Sequence, residues 1–322
     1  MTTLLVASTG GHLKELHHLH KRLDGVAGPF RWATFDTPQS RSLLAGETID
    51  FVPFTRSRDL INVTRNLGAA REILRDRELD TVVSTGSAVA VPFIGLARRR
   101  RLRCHYIESA ARTDGPSLTG RLVSGIPGVH LYTQYRAWAG SRWSFRGSVF
   151  DSFASEVDPV GAGISVKKVV VTLGTSRGYG FSRLVRRLLD VLPAEADVLW
   201  QTGDTDVGDF GIAGHYAIPE RDLTEAMREA DVVVAHAGVG TALAAFEVGK
   251  CPVLVPRRLS FGEHVDDHQT QIASELGERG LAVSVDADDL GRGDLVAAMG
   301  KRVTSPARAP TFETADAAAR RG

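Results

Sequence analysis

Ala230–Arg258 reads ADVVVAHAGVGTALAAFEVGKCPVLVPRR. A short apolar run, Asp231–Ala235, ends in a loop containing Gly238 and Gly240, an apolar helical stretch begins near Thr241, and Pro252–Val255 is a second apolar run. Runs of this length without alternation are strands buried on both faces, and strand, turn and helix in succession make an α/β unit with a parallel sheet. The same punctuation recurs upstream. Leu4–Ala7, Thr81–Ser84, Val129–Gln134, Val169–Leu173 and Asp197–Gln201 all read as buried strands, and Leu13, Leu16, Leu19 and Leu23 follow the first at helical spacing. No period of 20 to 50 residues repeats along the chain.

The sharpest break in this rhythm is Glu156–Lys168, which holds Pro159, Gly161 and Gly163 and has no periodicity. Residues 1–155 are therefore expected as one Rossmann-like domain, 156–167 as a linker, 168–303 as a second Rossmann-like domain and 304–322 as a flexible tail. Two such domains leave a cleft in which ligands bind. At 322 residues the chain is long enough for both cores. A net charge of +1 gives no global field for nucleic acid. Cys104 and Cys251 each lie beside an apolar run and read as two buried thiols of a reducing compartment. The first seven residues turn at once into glycine, too few for a signal-peptide core, and no later run approaches the ~20 apolar residues of a membrane span.

Four strand-to-helix junctions carry the candidate chemistry. Ser8-Thr9-Gly10-Gly11-His12 puts two glycines and a histidine at a helix start, where the backbone can approach a ligand and the helix dipole favours an anion. Read as residues alone, His12 is either a base at the mouth of the turn or a helix cap. Thr85-Gly86-Ser87 and Gly174-Thr175-Ser176 offer small hydroxyls and backbone N–H groups to phosphate or sugar oxygens. His236, Gly238, Gly240 and Thr241 can cradle a diphosphate, and Glu247, nearly two turns along that helix, can accept from a ribose diol. The loop after Pro252–Pro256 concentrates Glu263, His264, Asp266, Asp267, His268 and Gln269 at the end of a strand, as a site or as a solvated loop.

Taken together these segments resemble glycosyltransferase family 28. VTLGTSRG (171–178), the segment 230–258 and EHVDDHQTQIASEL (263–276) look like its donor domain, most closely the catalytic subunit of the dolichol-pathway N-acetylglucosaminyltransferase and its bacterial exopolysaccharide counterparts. LVASTGGHLKEL (5–16), VVSTGSAVAVP (82–92), HYIESAARTDGPSLTGRL (105–122) and RGSVFD (146–151) look like the membrane-recruiting partner subunit of the same enzymes, here fused to it. The lipid II-forming N-acetylglucosaminyltransferase is a more distant relative. The resemblance implies a GT-B fold and an inverting, metal-independent transfer from a UDP-sugar to an acceptor hydroxyl, without cofactor. The acceptor is then a lipid-linked sugar or glycan at the inner face of the cytoplasmic membrane. It also implies roles: His12 and Glu108 as catalytic residues, His12 as general base and Glu108 on the acceptor side, the loops at Gly10, Gly11, Thr85, Gly86 and Ser87 on that same side, and Gly174, Thr175 and Ser176 as the phosphate loop. His236, Gly238, Gly240 and Thr241 would hold the diphosphate, Glu247 the ribose, and His268 and Gln269 the donor sugar. The partner subunit's membrane-spanning helix has no counterpart in this sequence.

Three tempting patterns have plainer readings. Asp204-Thr205-Asp206 spells a metal-binding D-x-D but reads as a solvated turn. His17, His18 and His20 read as a solvated helix face, because neighbouring residues on a helix point about 100° apart. Arg98–Arg101 with Arg103, and Arg56, Arg58 and Arg65 interleaved with Leu60, Ile61, Val63 and Leu67, are either membrane-facing patches or solvated helix surface. Two rival functions share the two-domain pattern, a UDP-sugar 2-epimerase and a non-catalytic nucleotide-sugar-binding subunit.

Overall fold

The buried strands read from the sequence form two parallel sheets. The structure, a computed structural model, describes residues 2–54, 60–158, 165–175 and 178–321, with only the backbone of 60–64 and 320–321. It divides into one unit of residues 1–152 with 308–322 and a second of residues 153–307.

In the first unit, seven strands pair in the order Thr48–Val52, Phe30–Phe35, Thr2–Ala7, Leu79–Gly86, Arg103–Ile107, Val129–Thr133 and Ser144–Phe145. Every pairing is parallel. In the second, six strands pair in the order Gly214–His215, Asp197–Gln201, Lys168–Thr172, Val232–His236, Val253–Val255 and Val283–Ser284, again all parallel. Numbered within each sheet, both begin 3-2-1-4-5-6. The order reverses between strands 1 and 4, and the loops leaving those two strands diverge there to make a crevice. The physical cause of the strands is their lack of any solvent-facing side: Leu4 to Ala7 and Val232 to Ala235 are all buried. Helices on both faces complete each core, with Phe93 and Ile94 packed on the first sheet and Leu184 and Leu188 on the second.

The ends of the units fall differently from the composition break. Ala154–Val157 already belongs to the second unit, pairing antiparallel with Lys301–Thr304. The stretch 159–164 lies outside the described residues. Residues 308–321, expected as a flexible tail, return to the first unit. Phe312 is fully buried and pairs with Leu23, Arg22 Nε donates to Pro310 O at 2.7 Å, and Asp316 meets Arg103 at 2.8 Å. A two-residue strand has no periodicity to announce it, so composition alone reads this segment as tail.

Both cysteines are buried and free. The histidine face is a correction: His17 and His20 pack on Trp32, with ring centroids 6.2 and 5.1 Å away, and His20 meets Phe30 edge-on. Asp204 and Asp206 hold loop backbone, accepting from Gly178 N at 2.5 Å and Gly208 N at 3.1 Å. No helix among the described residues is long and apolar enough to cross a membrane.

Candidate active site

Both crevices carry a histidine held in the same way. In the first unit His12 follows strand 1 and its Nδ1 lies 2.8 Å from Thr85 O, at the end of strand 4. A carbonyl only accepts, so Nδ1 carries the proton and Nε2 keeps a lone pair. Thr85 Oγ1 returns a bond to His12 O at 2.8 Å, locking loop to loop. Gly86 has φ +102°, which favours glycine, and a Cβ there would sit a tight 3.3 Å from both His12 Cε1 and Tyr106 Oη. Gly10, with φ +88°, opens the helix Gly11–Leu19 with no side-chain cap, while its own N–H donates to Gln39 Oε1 at 2.6 Å. The first N–H groups of that nine-residue helix have no intrahelical acceptor. Burial holds the His12 pKa below its ordinary value; the Thr85 bond opposes this and the Arg112 charge adds to it. Ser87 is partly buried, and its carbonyl accepts from Ala90 N at the start of the next helix.

Glu108 is placed otherwise than an acceptor-facing carboxylate would be. It is 1% exposed. Its Oε1 accepts from Ser109 N at 3.2 Å and Tyr106 Oη at 3.4 Å, and its Oε2 from Ser117 N at 3.0 Å and Ser117 Oγ at 3.1 Å. Ser117 in turn caps the helix Leu118–Ser124. Glu15, one turn beyond His12 and equally buried, accepts from Ser109 Oγ at 2.7 Å, Ala110 N at 2.8 Å and Gln134 Nε2 at 3.0 Å. Burial pushes the Glu15 carboxyl up to about 7 and raises Glu108, against the bonds they accept. Both carboxylates shape the 108–117 loop, which carries Arg112 close enough for its charge to be felt at His12.

In the second unit the roles of the strands exchange. His236 ends strand 4, and its Nδ1 faces Thr172 O at 3.3 Å, at the end of strand 1. Its ring lies against two glycines: a Cβ on Gly174 would stand 2.8 Å from Nε2, and one on Gly238 would collide with the same atom. Burial, with the nearby Arg257 charge, takes the His236 pKa down to about 3, so the ring stays neutral and Nε2 is an acceptor. The helix Val239–Glu247 starts after Gly238 without a side-chain cap, leaving its first N–H groups directed at the crevice. Thr241 is partly buried in its first turn, and Glu247 is its last residue and exposed. The six helical steps from Thr241 to Glu247 rise about 9 Å. Thr175 is exposed, and Ser176 lies outside the described residues. His268 opens the helix His268–Glu278, whereas Gln269 is buried and its Oε1 accepts from Arg257 N at 3.1 Å.

That last bond leads to a residue the motifs did not single out. Arg257 is 1% exposed, and its Nη2 donates to Leu173 O beside Gly174. Its Nε and Nη1 have no hydrogen-bond partner among the described residues. A buried guanidinium without a matched anion costs several kcal/mol, on the order of its desolvation. Its sequence signal was present: an arginine directly after the apolar run PVLVP, at the carboxyl end of a parallel strand. Gly174, His236, Gly238 and Arg257 thus assemble one neutral imidazole, one buried cation and one open helix N-terminus. The cation and the open helix N-terminus suit a phosphate or diphosphate, whereas the Nε2 lone pair of the imidazole accepts only from a donor such as a hydroxyl.

Residues 168–319 match the model of the glycosyltransferase family 28 C-terminal domain. A UDP-N-acetylglucosamine--N-acetylmuramyl-(pentapeptide) pyrophosphoryl-undecaprenol N-acetylglucosamine transferase of Verminephrobacter eiseniae is 27% identical over 68% of this chain, which spans 64% of that relative's length. The protein of the same name from Synechococcus sp. strain CC9902 is 28% identical over 88% of this chain and 83% of its own. Among solved structures, Acinetobacter baumannii MurG superposes with a TM-score of 0.56 at 20% identity, covering 92% of this chain and 88% of MurG. The S. aureus MnaA–UDP co-structure gives 0.56 at 12% identity over 92% and 94% of the two chains. At these identities the superpositions establish the shared two-domain GT-B architecture, which transferases and UDP-N-acetylglucosamine 2-epimerases both adopt.

Proposed function

We propose that this chain, a glycosyltransferase of family 28 with the GT-B fold, moves a sugar from a UDP-sugar to the hydroxyl of a lipid-linked acceptor. The relatives' names specify such a donor and a pyrophosphoryl-undecaprenol acceptor. The observation that carries the reading is Arg257, a buried cation whose Nε and Nη1 lack hydrogen-bond partners among the described residues, beside an uncapped helix N-terminus. A nucleoside diphosphate supplies the missing anion. Arg257, the N–H groups at Val239 and Gly240 and the Thr241 hydroxyl hold its phosphates, and Glu247 binds the ribose. His268 contacts the donor sugar, and Gln269 holds Arg257 in place.

In the reaction His12 Nε2 takes the proton of the acceptor hydroxyl. The freed oxygen electron pair attacks the anomeric carbon from the side opposite the leaving group, the bond from that carbon to the diphosphate oxygen breaks, and UDP departs with its electrons. Configuration inverts. Negative charge grows on the diphosphate as the bond breaks, so preorganised positive groups act mainly in the transition state. Arg257 and the helix dipole supply that charge without a divalent ion. Glu108 and Glu15 position the 108–117 loop and transfer no proton.

Arg257→Gln tests the reading by calorimetry. Loss of charge-assisted bonds to phosphate weakens UDP by about 1.5–3 kcal/mol, while uridine, which lacks phosphate, binds as before. Unchanged UDP affinity in the variant would remove Arg257 from the donor site.

A further inference from the structure

Outside these phosphate-binding groups, the described residues contain one cluster of metal-ligating side chains, His264, Asp266 and His268, whose donor atoms all lie within 4.8 Å of one another. We propose that the segment His264–His268 binds a borderline divalent transition ion of the Zn²⁺ class, at the edge of the donor site with which it shares His268.

The donor set decides the class. Two imidazoles and one carboxylate suit Zn²⁺, Co²⁺ or Ni²⁺, whereas Mg²⁺ and Ca²⁺ take oxygen ligands. The geometry is near what such an ion needs. Both Nδ1 atoms converge on one oxygen: Asp266 Oδ1 is hydrogen-bonded to His268 Nδ1 and stands 3.3 Å from His264 Nδ1. Around a tetrahedral ion with bonds of ~2.0–2.2 Å, neighbouring donors stand roughly 3.3–3.5 Å apart. The His264 spacing already matches, and the His268 ring opens from its hydrogen bond as the ion replaces the shared hydrogen. Each imidazole then moves its proton to Nε2, and no net charge leaves the rings.

The segment is also anchored on both sides, which distinguishes it from a chance surface cluster. Before it, Glu263 is held by Arg183 at 3.1 and 3.2 Å and by Arg258 N at 2.9 Å. Within it, Asp267 Oδ1 accepts from Leu259 N at 2.9 Å, and after it Gln269 is tied to Arg257 N. The His264 ring stacks on Tyr179 with centroids 5.6 Å apart. The imidazoles are largely shielded, with 13% and 19% of their side chains exposed, while Asp266 is 37% exposed and gives the ion its entry. Burial lowers the His264 pKa, the Asp266 charge opposes this and the Arg257 charge adds to it, so the Asp266 carboxylate is the group that offsets the repulsion of a cation by Arg257. A bound ion also holds His268, which the proposed function assigns to the donor sugar. Occupancy therefore lowers UDP-sugar affinity, and this coupling rests on that reading.

The test titrates Co²⁺ and Zn²⁺ into the full chain. One equivalent of Co²⁺ gives visible d–d absorption, Zn²⁺ abolishes it, and excess Mg²⁺ does not. His264→Ala and Asp266→Asn each weaken binding at least about tenfold, the lower bound of what even an outer-shell change costs a metal site. Their metal-free melting temperatures show that both variants are folded. Absence of the absorption in the parent chain, or an affinity in either variant equal to the parent's, overturns the proposal. A second titration measures UDP-sugar affinity with and without saturating Zn²⁺. If the chain binds no UDP-sugar at all, the functional reading fails while the Co²⁺ result still decides the site. If it binds equally with Zn²⁺ present, the coupling is refuted.

Discussion

At His12 one hydrogen bond decides what the ring can do. Donation from Nδ1 to Thr85 O fixes the tautomer and leaves Nε2 as the basic atom. His12→Ala should lower kcat by roughly 10²–10⁴, the usual effect of losing a positioned general base. UDP affinity should stay unchanged, because the groups proposed to hold the diphosphate all belong to the second unit. The pH sign follows from burial: a pKa held below 6.5 keeps the ring neutral and basic as the pH falls. The acidic limb of kcat/KM should therefore lie below pH 6.5 and disappear in the variant. A limb that survives His12→Ala assigns the base elsewhere. His12 and His236 were legible in the sequence because glycines flank them at strand ends. Arg257 stands in plain sight after an apolar strand, but its significance lies in partners missing among the described residues, and Glu108 is expected on the acceptor side because a motif does not reveal which oxygens are already bonded.

The elements explain why the histidines lie where they do. Both sheets reverse order between strands 1 and 4, and each histidine bridges the loops leaving those strands. The long apolar strands were readable because a parallel strand covered on both faces is apolar throughout. Phe312–Glu313 was not, because its order comes from tertiary contacts with Leu23, Asp24 and Tyr132. The return segment is nevertheless part of the first core. Phe312→Ala should destabilise that unit by about 3–5 kcal/mol, as expected for emptying a fully buried ring site, and lower its melting temperature by several degrees. Phe261→Ala, at a side chain 59% exposed, is the control and should change little. Equal melting temperatures for both would mean that 308–321 contributes nothing to the core.

For the molecule as a whole, the acceptor proposed here resides in a bilayer, and the surface offers candidates for contact. In the basic run, Arg98 is used on Leu102 O and Pro127 O, and Arg103 on Asp80 and Asp316, which leaves Arg99, Arg100 and Arg101 exposed. Leu118 and Leu122, one turn apart, are 62% and 56% exposed beside an exposed Arg121. Arg56 and Arg58 lie outside the described residues. Anionic vesicles should bind the protein more than neutral ones, each near-surface arginine adding about 1 kcal/mol, and salt should release it. Flotation with neither would leave these groups as solvated surface. Arg99→Gln, Arg100→Gln and Arg101→Gln together, set against Arg121→Gln, identify the patch.

The most direct test of the central claim is UDP release from a UDP-sugar, measured with and without a polyprenyl-pyrophosphoryl sugar acceptor. A transferase that deprotonates the acceptor at His12 and holds the donor diphosphate at Arg257 should release UDP only when the acceptor is present, one for each sugar transferred. UDP appearing at the same rate without acceptor, or donor converted to its 2-epimer, would contradict the account.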